Sequence, residues 1–357
     1  MPNQSPTPVE QMARDISQAQ SNLGSLQTKA RLSSLLDQVE DLQSDIAGLP
    51  TVLADLRQRG YVYEKKLETT AQTMADRWRT LAPGIRTQIQ IQSQAMMQAM
   101  PAIETKMSSL ARVSTSLGQA KPLLAQVEAE IRTMEGRANA AESTIRGMYN
   151  QFQSEVSTFK AHLDRVAEAF RELSQASFQL LATEALIMCV EATWVRDAKE
   201  DDNDPKGNLY ITDQRLIFEQ KQEVATKKVL FITTEKKLVQ QLMFEVALAL
   251  IEDVKPSKRG AFKNEDHLDL RFASGAPFQM VHFHLFGQDC EEWVALIQRA
   301  KAKEFDADRV VAVDAAVEEK VKTAPTTCPN CSGAITKPVL RGQDTITCEY
   351  CGSVIRL

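Results

Sequence analysis

The sequence predicts a multidomain α + β chain. A long antiparallel helical bundle or coiled coil comes first, then a β-rich module closed by one amphipathic helix, then a small four-cysteine tip. Three observations carry this. Apolar residues recur every three and four positions through the first half; the period falls to two after Glu184; and two Cys-x-x-Cys pairs stand near the C-terminus. The boundaries expected from them are 1–184 for the helical arm, 185–303 for the β module, 304–326 for a linker and 327–357 for the tip. At 357 residues, with 43% hydrophobic but only 6% aromatic residues, the chain has length for several domains, and much of its mass reads as extended helix.

The arm opens at Thr7-Pro8-Val9-Glu10: a Thr N-cap, Pro at the first helical position and Glu placed to close a capping box. Met12, Ile16, Ala19, Leu23 and Leu26 form its first stripe, which resumes after a phase slip at Leu35, Val39, Leu42, Ile46 and Leu49. Helix ends are expected at Gly48-Leu49-Pro50 and at Pro83-Gly84, a kink at Pro101, and a fourth helix opening at Lys121-Pro122. That fourth helix carries Leu124, Val127, Ile131, Met134, Ala138, Ala141, Ile145, Met148 and Phe152. An extra four-residue step reaches Val156, after which Phe159, Leu163, Val166, Phe170 and Leu173 continue. A sustained 3.5-residue period needs a partner helix along its length, and short connections favour antiparallel neighbours. Residues 1–183 carry 19 Lys/Arg and 19 Asp/Glu, scattered in sign, which describes a solvated helix surface and not a nucleic-acid stripe.

In the β module, Ala185–Arg196 reads as a strand, Lys199–Gly207 as an acidic loop, and Asn208–Glu219 as a hairpin with Asp213-Gln214 at its tip. Further strands are expected at Lys228–Thr233, Val246–Val254, His267–Phe272 and Gln279–Phe286. A closing helix follows at Asp289–Lys303, with Trp293, Val294, Ile297 and Ala300 inward. His282 and His284 alternate and share a strand face; they read as ordinary strand positions. Residues 304–327 read as a short helix within a flexible tether.

Strands in series ended by a helix bearing a large aromatic resemble a pleckstrin-homology (PH)-like domain, and more closely its GRAM-type branch. The residues that carry this are Gly207-Asn208-Leu209-Tyr210-Ile211-Thr212-Asp213-Gln214-Arg215-Leu216-Ile217-Phe218 and Cys290-Glu291-Glu292-Trp293-Val294-Ala295-Leu296-Ile297. The resemblance implies a PH-like β-barrel with a C-terminal helix over about 185–303, and binding of phosphoinositides or proteins. Phosphoinositide binding in such folds uses cations between the first two strands. Here Lys199–Gly207 holds four carboxylates and two lysines, a loop that repels phosphate. The alternative basic loop is Lys255, Lys258, Arg259 and Lys263, so attraction to an anionic membrane is expected to be weak or absent.

Cys328-Pro329-Asn330-Cys331 and Cys348-Glu349-Tyr350-Cys351 are separated by sixteen residues, a spacing that supplies four thiolates to one tetrahedral zinc. Two disulfides or four free thiols are the alternatives, and a reducing compartment argues against the disulfides. Four protein ligands leave no open coordination position, so the metal is expected to be structural. The pattern resembles a zinc ribbon over about 325–357, a family used for protein or nucleic-acid binding. Cys189 and Cys290 lie in apolar surroundings and read as packed thiols.

No P-loop, Gly-x-Gly-x-x-Gly, His-Glu-x-x-His or Gly-x-Ser-x-Gly pattern occurs, and the chain is not expected to be an enzyme. With no signal-peptide pattern and no apolar run of membrane-spanning length, it reads as cytoplasmic. The expected function is that of a non-catalytic adaptor or scaffold. The arm would self-associate or pair with a partner, and the barrel and ribbon would recruit proteins. Two alternatives stand beside it: nucleic-acid or transcription-related binding through the ribbon, whose net charge of +1 over 327–357 argues against it, and a peripheral membrane tether through the PH-like domain.

Overall fold

The computed structural model describes residues 7–357 except 198, 199, 202, 230, 231, 261 and 263, and only the backbone over the rest of 224–236. The chain divides into two compact units, one from Met1–Pro50 and Thr69–Lys160, the other from Thr51–Glu68 and Ala161–Leu357.

The first unit is helical. Its elements are α1 (Pro8–Ala30), α2 (Ser33–Gln58), α3 (Leu67–Arg112), α4 (Leu117–Gly147) and α5 (Asn150–Ser174), the ends of α2, α3 and α5 belonging to the second unit. The Thr7 capping box forms as its sequence demands, the Glu10 carboxylate accepting from the Thr7 amide at 2.8 Å. Side-chain pairs fix the directions. Gln43 meets Trp78 and Gln27 meets Glu104, so α3 runs antiparallel to α1 and α2. Lys106 meets Glu130 and Arg77 meets Glu155, so α4 and α5 turn back against α3. Every apolar stripe position through Ile145 named for α1, α2 and α4 above is buried, each Val, Leu, Ile and Met contributing about 1.5–3 kcal/mol and each Ala less.

The helix boundaries differ from the sequence expectation. The phase slip after Leu26 is a true break, with Leu32 buried at φ 52° between α1 and α2. A second break at Met148-Tyr149 divides what reads as one long helix. Conversely, Pro50, Pro83 and Pro101 lie inside continuous helices, and α4 begins before Pro122. All four prolines are on exposed positions, where water can satisfy the carbonyls that lose their amide partners. The buried stripes on either side then outweigh a local cost of about 3 kcal/mol. Phe159, expected in the seam, is half-buried, while Val156 is buried.

In the second unit, β1 (Leu186–Val195), β2 (Lys206–Thr212), β3 (Arg215–Val229), β4 (Ile232–Ala247), β5 (Ile251–Arg259), β6 (Glu265–Phe272) and β7 (Met280–Phe286) form one antiparallel sheet in the order β4-β3-β2-β1-β7-β6-β5. The central β1 is buried at all positions but Glu191, which is why it reads as an apolar run and not an alternation. Trp194, Phe218, Phe244 and Phe283 pack edge-to-face or tilted in the core. Helix α6 (Cys290–Lys301) lays Cys290, Trp293, Ile297 and Ala300 inward, with Val294 only half-buried. Gly207 is required: a Cβ there would lie 2.0 Å from the Glu219 carbonyl oxygen across the β2–β3 ladder. Barrel closure is not shown, since among the described residues no ladder joins β4 to β5.

Two strand expectations change. Lys228–Thr233 falls at the tip of the long β3–β4 hairpin and includes residues 230 and 231, outside the described residues. Val246–Val254 is broken by a 3-10 turn, Leu248–Leu250. Residues 304–326 are anchored in place of a free tether. A 3-10 turn at Glu304–Asp308 buries Phe305 against Tyr63, Arg309 pairs with Asp213 at 2.5 Å, and the expected short helix is α7 (Ala315–Thr323).

Candidate metal centre

The four cysteines lie close together, as one zinc site requires. Cys328 and Cys331 belong to a first turn, and Cys348 and Cys351 to a second that joins β8 (Thr345–Thr347) to β9 (Val354–Arg356) in a short hairpin. The turns repeat one another. The Ser332 amide donates to the Cys328 carbonyl at 2.8 Å and the Gly352 amide to the Cys348 carbonyl at 2.9 Å. The residue after each second cysteine is left-handed, Ser332 at φ 59° and Gly352 at φ 72°. Gly333 lies under the exposed Tyr350 ring: a Cβ there would come within 2.5 Å of that ring and push it aside.

The donor set fits zinc. Cys328 Sγ lies 3.7 Å from Cys351 Sγ, and Cys331 Sγ 3.7 Å from Cys348 Sγ. Four sulfurs about 2.3 Å from a shared tetrahedral centre stand about 3.8 Å apart. A disulfide would need about 2.05 Å. Cys328 and Cys348 are buried with Ile355, whereas Cys331 and Cys351 face solvent. The Ser353 hydroxyl and amide hold the Cys351 thiol down, to about 6. At Cys331 the Gly333 amide favours the thiolate, but the neighbouring sulfurs outweigh it and raise that thiol to about 12. Sulfurs this close resist ionising together, and a divalent cation at their centre removes that resistance.

One other group among the described residues gathers three possible ligands, Asp266, Asp289 and Cys290. Its centre is taken by the Lys258 ammonium, 2.7 Å from Asp289 and bonded also to Asp266. This corrects the basic-loop expectation. Lys255, Lys258 and Arg259 lie on strand β5; Lys255 faces Asp253 at 3.2 Å and Arg259 faces Asp269 at 3.7 Å, while Lys263 is outside the described residues. In the four-cysteine tip, Lys337 pairs with Glu349 at 2.7 Å.

The histidines form a cluster that the sequence reading missed. Across the β6–β7 ladder His267 stands opposite His284, and Asp269 opposite His282. His282 Nδ1 is 2.6 Å from Asp269, His284 Nδ1 is 2.6 Å from Glu200, and His267 Nδ1 is 3.0 Å from His282 Nε2. Burial and the two neighbouring imidazoles push the His267 pKa down to about 4. Period two puts His282 and His284 on one face, but only the register of β6 on β7 adds His267. Cys189 and Cys290 are buried, and burial raises both thiols, as expected of packed cysteines. Among the described residues, no helix is long and apolar enough to cross a membrane.

No family model and no curated protein matches the chain. Among solved structures it is similar to the N-terminal PH domain of Vps36, at 15% identity and TM-score 0.23, over 35% of this chain and 92% of that one. It is also similar to the DH/PH domains of p115-RhoGEF, at 12% identity and TM-score 0.21, over 78% of this chain and 98% of that one. At such scores these likenesses carry no argument about function, and the reading rests on the strand order and the cysteine geometry.

Proposed function

We propose that the chain is a non-catalytic cytoplasmic adaptor or scaffold. In this reading the helical arm self-associates or pairs with a partner, and a PH-like, GRAM-type module and a zinc ribbon recruit proteins. The observation that carries it is the four-thiolate cluster. A zinc held there has no open position for a reacting group, and its chemistry is to fold the tip. The meander with its first strand between the second and the last, closed by a helix with buried Trp293, supports the PH-like assignment. The carboxylates facing Lys255, Lys258 and Arg259 weigh against the membrane alternative, because each cation has an acidic neighbour that lowers the local positive potential. The Lys337–Glu349 pair weighs against the nucleic-acid alternative in the same way.

The test uses the full-length chain in three arms at physiological salt. Light scattering should detect self-association or a defined partner complex, and anionic liposomes and duplex DNA should leave the protein in the unbound fraction. Co-sedimentation with liposomes that survives Lys258→Glu/Arg259→Glu would replace this reading with the membrane tether. Salt-sensitive DNA retention lost with Lys337→Glu would replace it with the nucleic-acid one.

A further inference from the structure

The ribbon docks on the segment that leads into the β sheet, and it does so with the part of its chain that lies inside the metal-closed loop. Val339, Leu340 and Arg341 stand between Cys331 and Cys348. Leu340 forms an antiparallel bridge with Leu181; the Ala182 amide donates to the Val339 carbonyl at 2.9 Å and the Arg341 amide to the Leu180 carbonyl at 2.9 Å. The Arg341 guanidinium also donates to the Glu184 carbonyl oxygen. Glu184 in turn is fully buried, its carboxylate accepting from the Leu181 amide at 2.7 Å, the Thr212 hydroxyl at 2.6 Å and the Arg215 guanidinium. One short run of ribbon backbone therefore holds the irregular segment between α5 and β1 that orients Glu184.

We propose that Val339–Arg341 is a zinc-dependent clasp, so that metal occupancy of the ribbon sets whether residues 180–184 are held or free. The ribbon has three residue pairs of β ladder and a small buried cluster, too little to keep its loop shaped without a metal cross-link. Its seat is also open at the side: a groove of about 220 Å³, half open to solvent, runs among Leu181, Val321, Ile335, Val339 and Ile346. The far half of the sheet does not depend on the clasp, because β6 pairs with both β5 and β7 and α6 packs on β5 and β6. Losing zinc thus frees the Ala182 amide, the Leu180 carbonyl and the Arg341 contact while the sheet persists. Coupling of this kind is reciprocal, so weakening the clasp weakens zinc binding. The inference rests on the zinc reading of the four cysteines.

The experiment is hydrogen exchange on the full-length protein with and without a zinc chelator, together with a zinc titration of Arg341→Ala. Zinc content of the purified wild type is measured first; a metal-free protein whose cysteines do not take up added zinc overturns the zinc reading and the clasp with it. With zinc present, chelation should raise exchange at Ala182 and Arg341 and leave Leu268 and Phe283 protected. Arg341→Ala, with all four cysteines intact, should bind zinc about tenfold more weakly. Unchanged protection at Ala182 after zinc removal overturns the clasp while leaving the zinc site standing. Loss of protection at Leu268 and Phe283 as well overturns it too, since the metal would then hold the whole unit and not a local segment. Unaltered zinc affinity in Arg341→Ala overturns the reciprocal coupling on which the clasp depends.

Discussion

Arg215 and Glu184 form an ion pair closed off from water: Nη2 lies 2.5 Å from Oε2, the Glu184 side chain is 0% exposed and that of Arg215 is 9% exposed. Thr212 and the Leu181 amide complete the carboxylate, and Gln179 and Glu245 complete the guanidinium. Breaking such a pair strands a charge in a low dielectric, whereas removing both partners does not. Arg215→Met should therefore lower stability by about 3–5 kcal/mol, and Arg215→Met/Glu184→Leu by clearly less. Denaturant melts of the two variants decide it; equal losses would show that the pair is not the relevant interaction.

Purified protein should contain about one zinc per chain, and Cys328→Ser/Cys351→Ser should lose it while far-ultraviolet circular dichroism keeps the helical signal. Metal analysis by mass spectrometry reads the first part, and a metal-free wild type refutes it.

Val156 is 1% exposed and Phe159 only half-buried, so the two positions should respond differently to a charge. Val156→Asp should cost about 3 kcal/mol or more, and Phe159→Asp about 1 kcal/mol, because the half-buried position lets the carboxylate reach water. Urea midpoints of both variants measure the contrast.

Gly207→Ala should destabilise the second unit by about 2 kcal/mol, since the added methyl meets the β3 backbone and not a movable side chain. Gly24→Ala, on an open helix surface, should be neutral or slightly stabilising. Comparing their thermal midpoints separates steric need from glycine loss in general.

His267 should make the fold acid-sensitive. Its folded pKa, about 4, is below the unfolded value of about 6.5, so the unfolded chain binds the extra proton between those limits. Its contribution is present in full above pH about 6.5, declines as pH falls toward 4, and levels off below that. The loss should be on the order of 2 kcal/mol, and His267→Gln should flatten that part of the stability profile. An unchanged slope between wild type and variant would exclude His267 as its source.

The sequence alone determined what depends on spacing. Heptad stripes place α1 and α4, a capping box sets the first helix start, an unbroken apolar run locates β1, alternation locates β6 and β7, and two Cys-x-x-Cys pairs define the four sulfurs brought together. Each of these follows from residues close in the chain, where the backbone period dictates which side chains meet. Tertiary structure decided what depends on distant neighbours. Pro50, Pro83 and Pro101 stay helical because long buried stripes outweigh a local cost. Lys258 looks free in the sequence but is held by Asp266 and Asp289, eight and thirty-one residues away. His267 joins His282 and His284 only through strand register, and Arg341 reaches Glu184 across 157 residues. No local period encodes such contacts, because they are chosen by how whole elements pack.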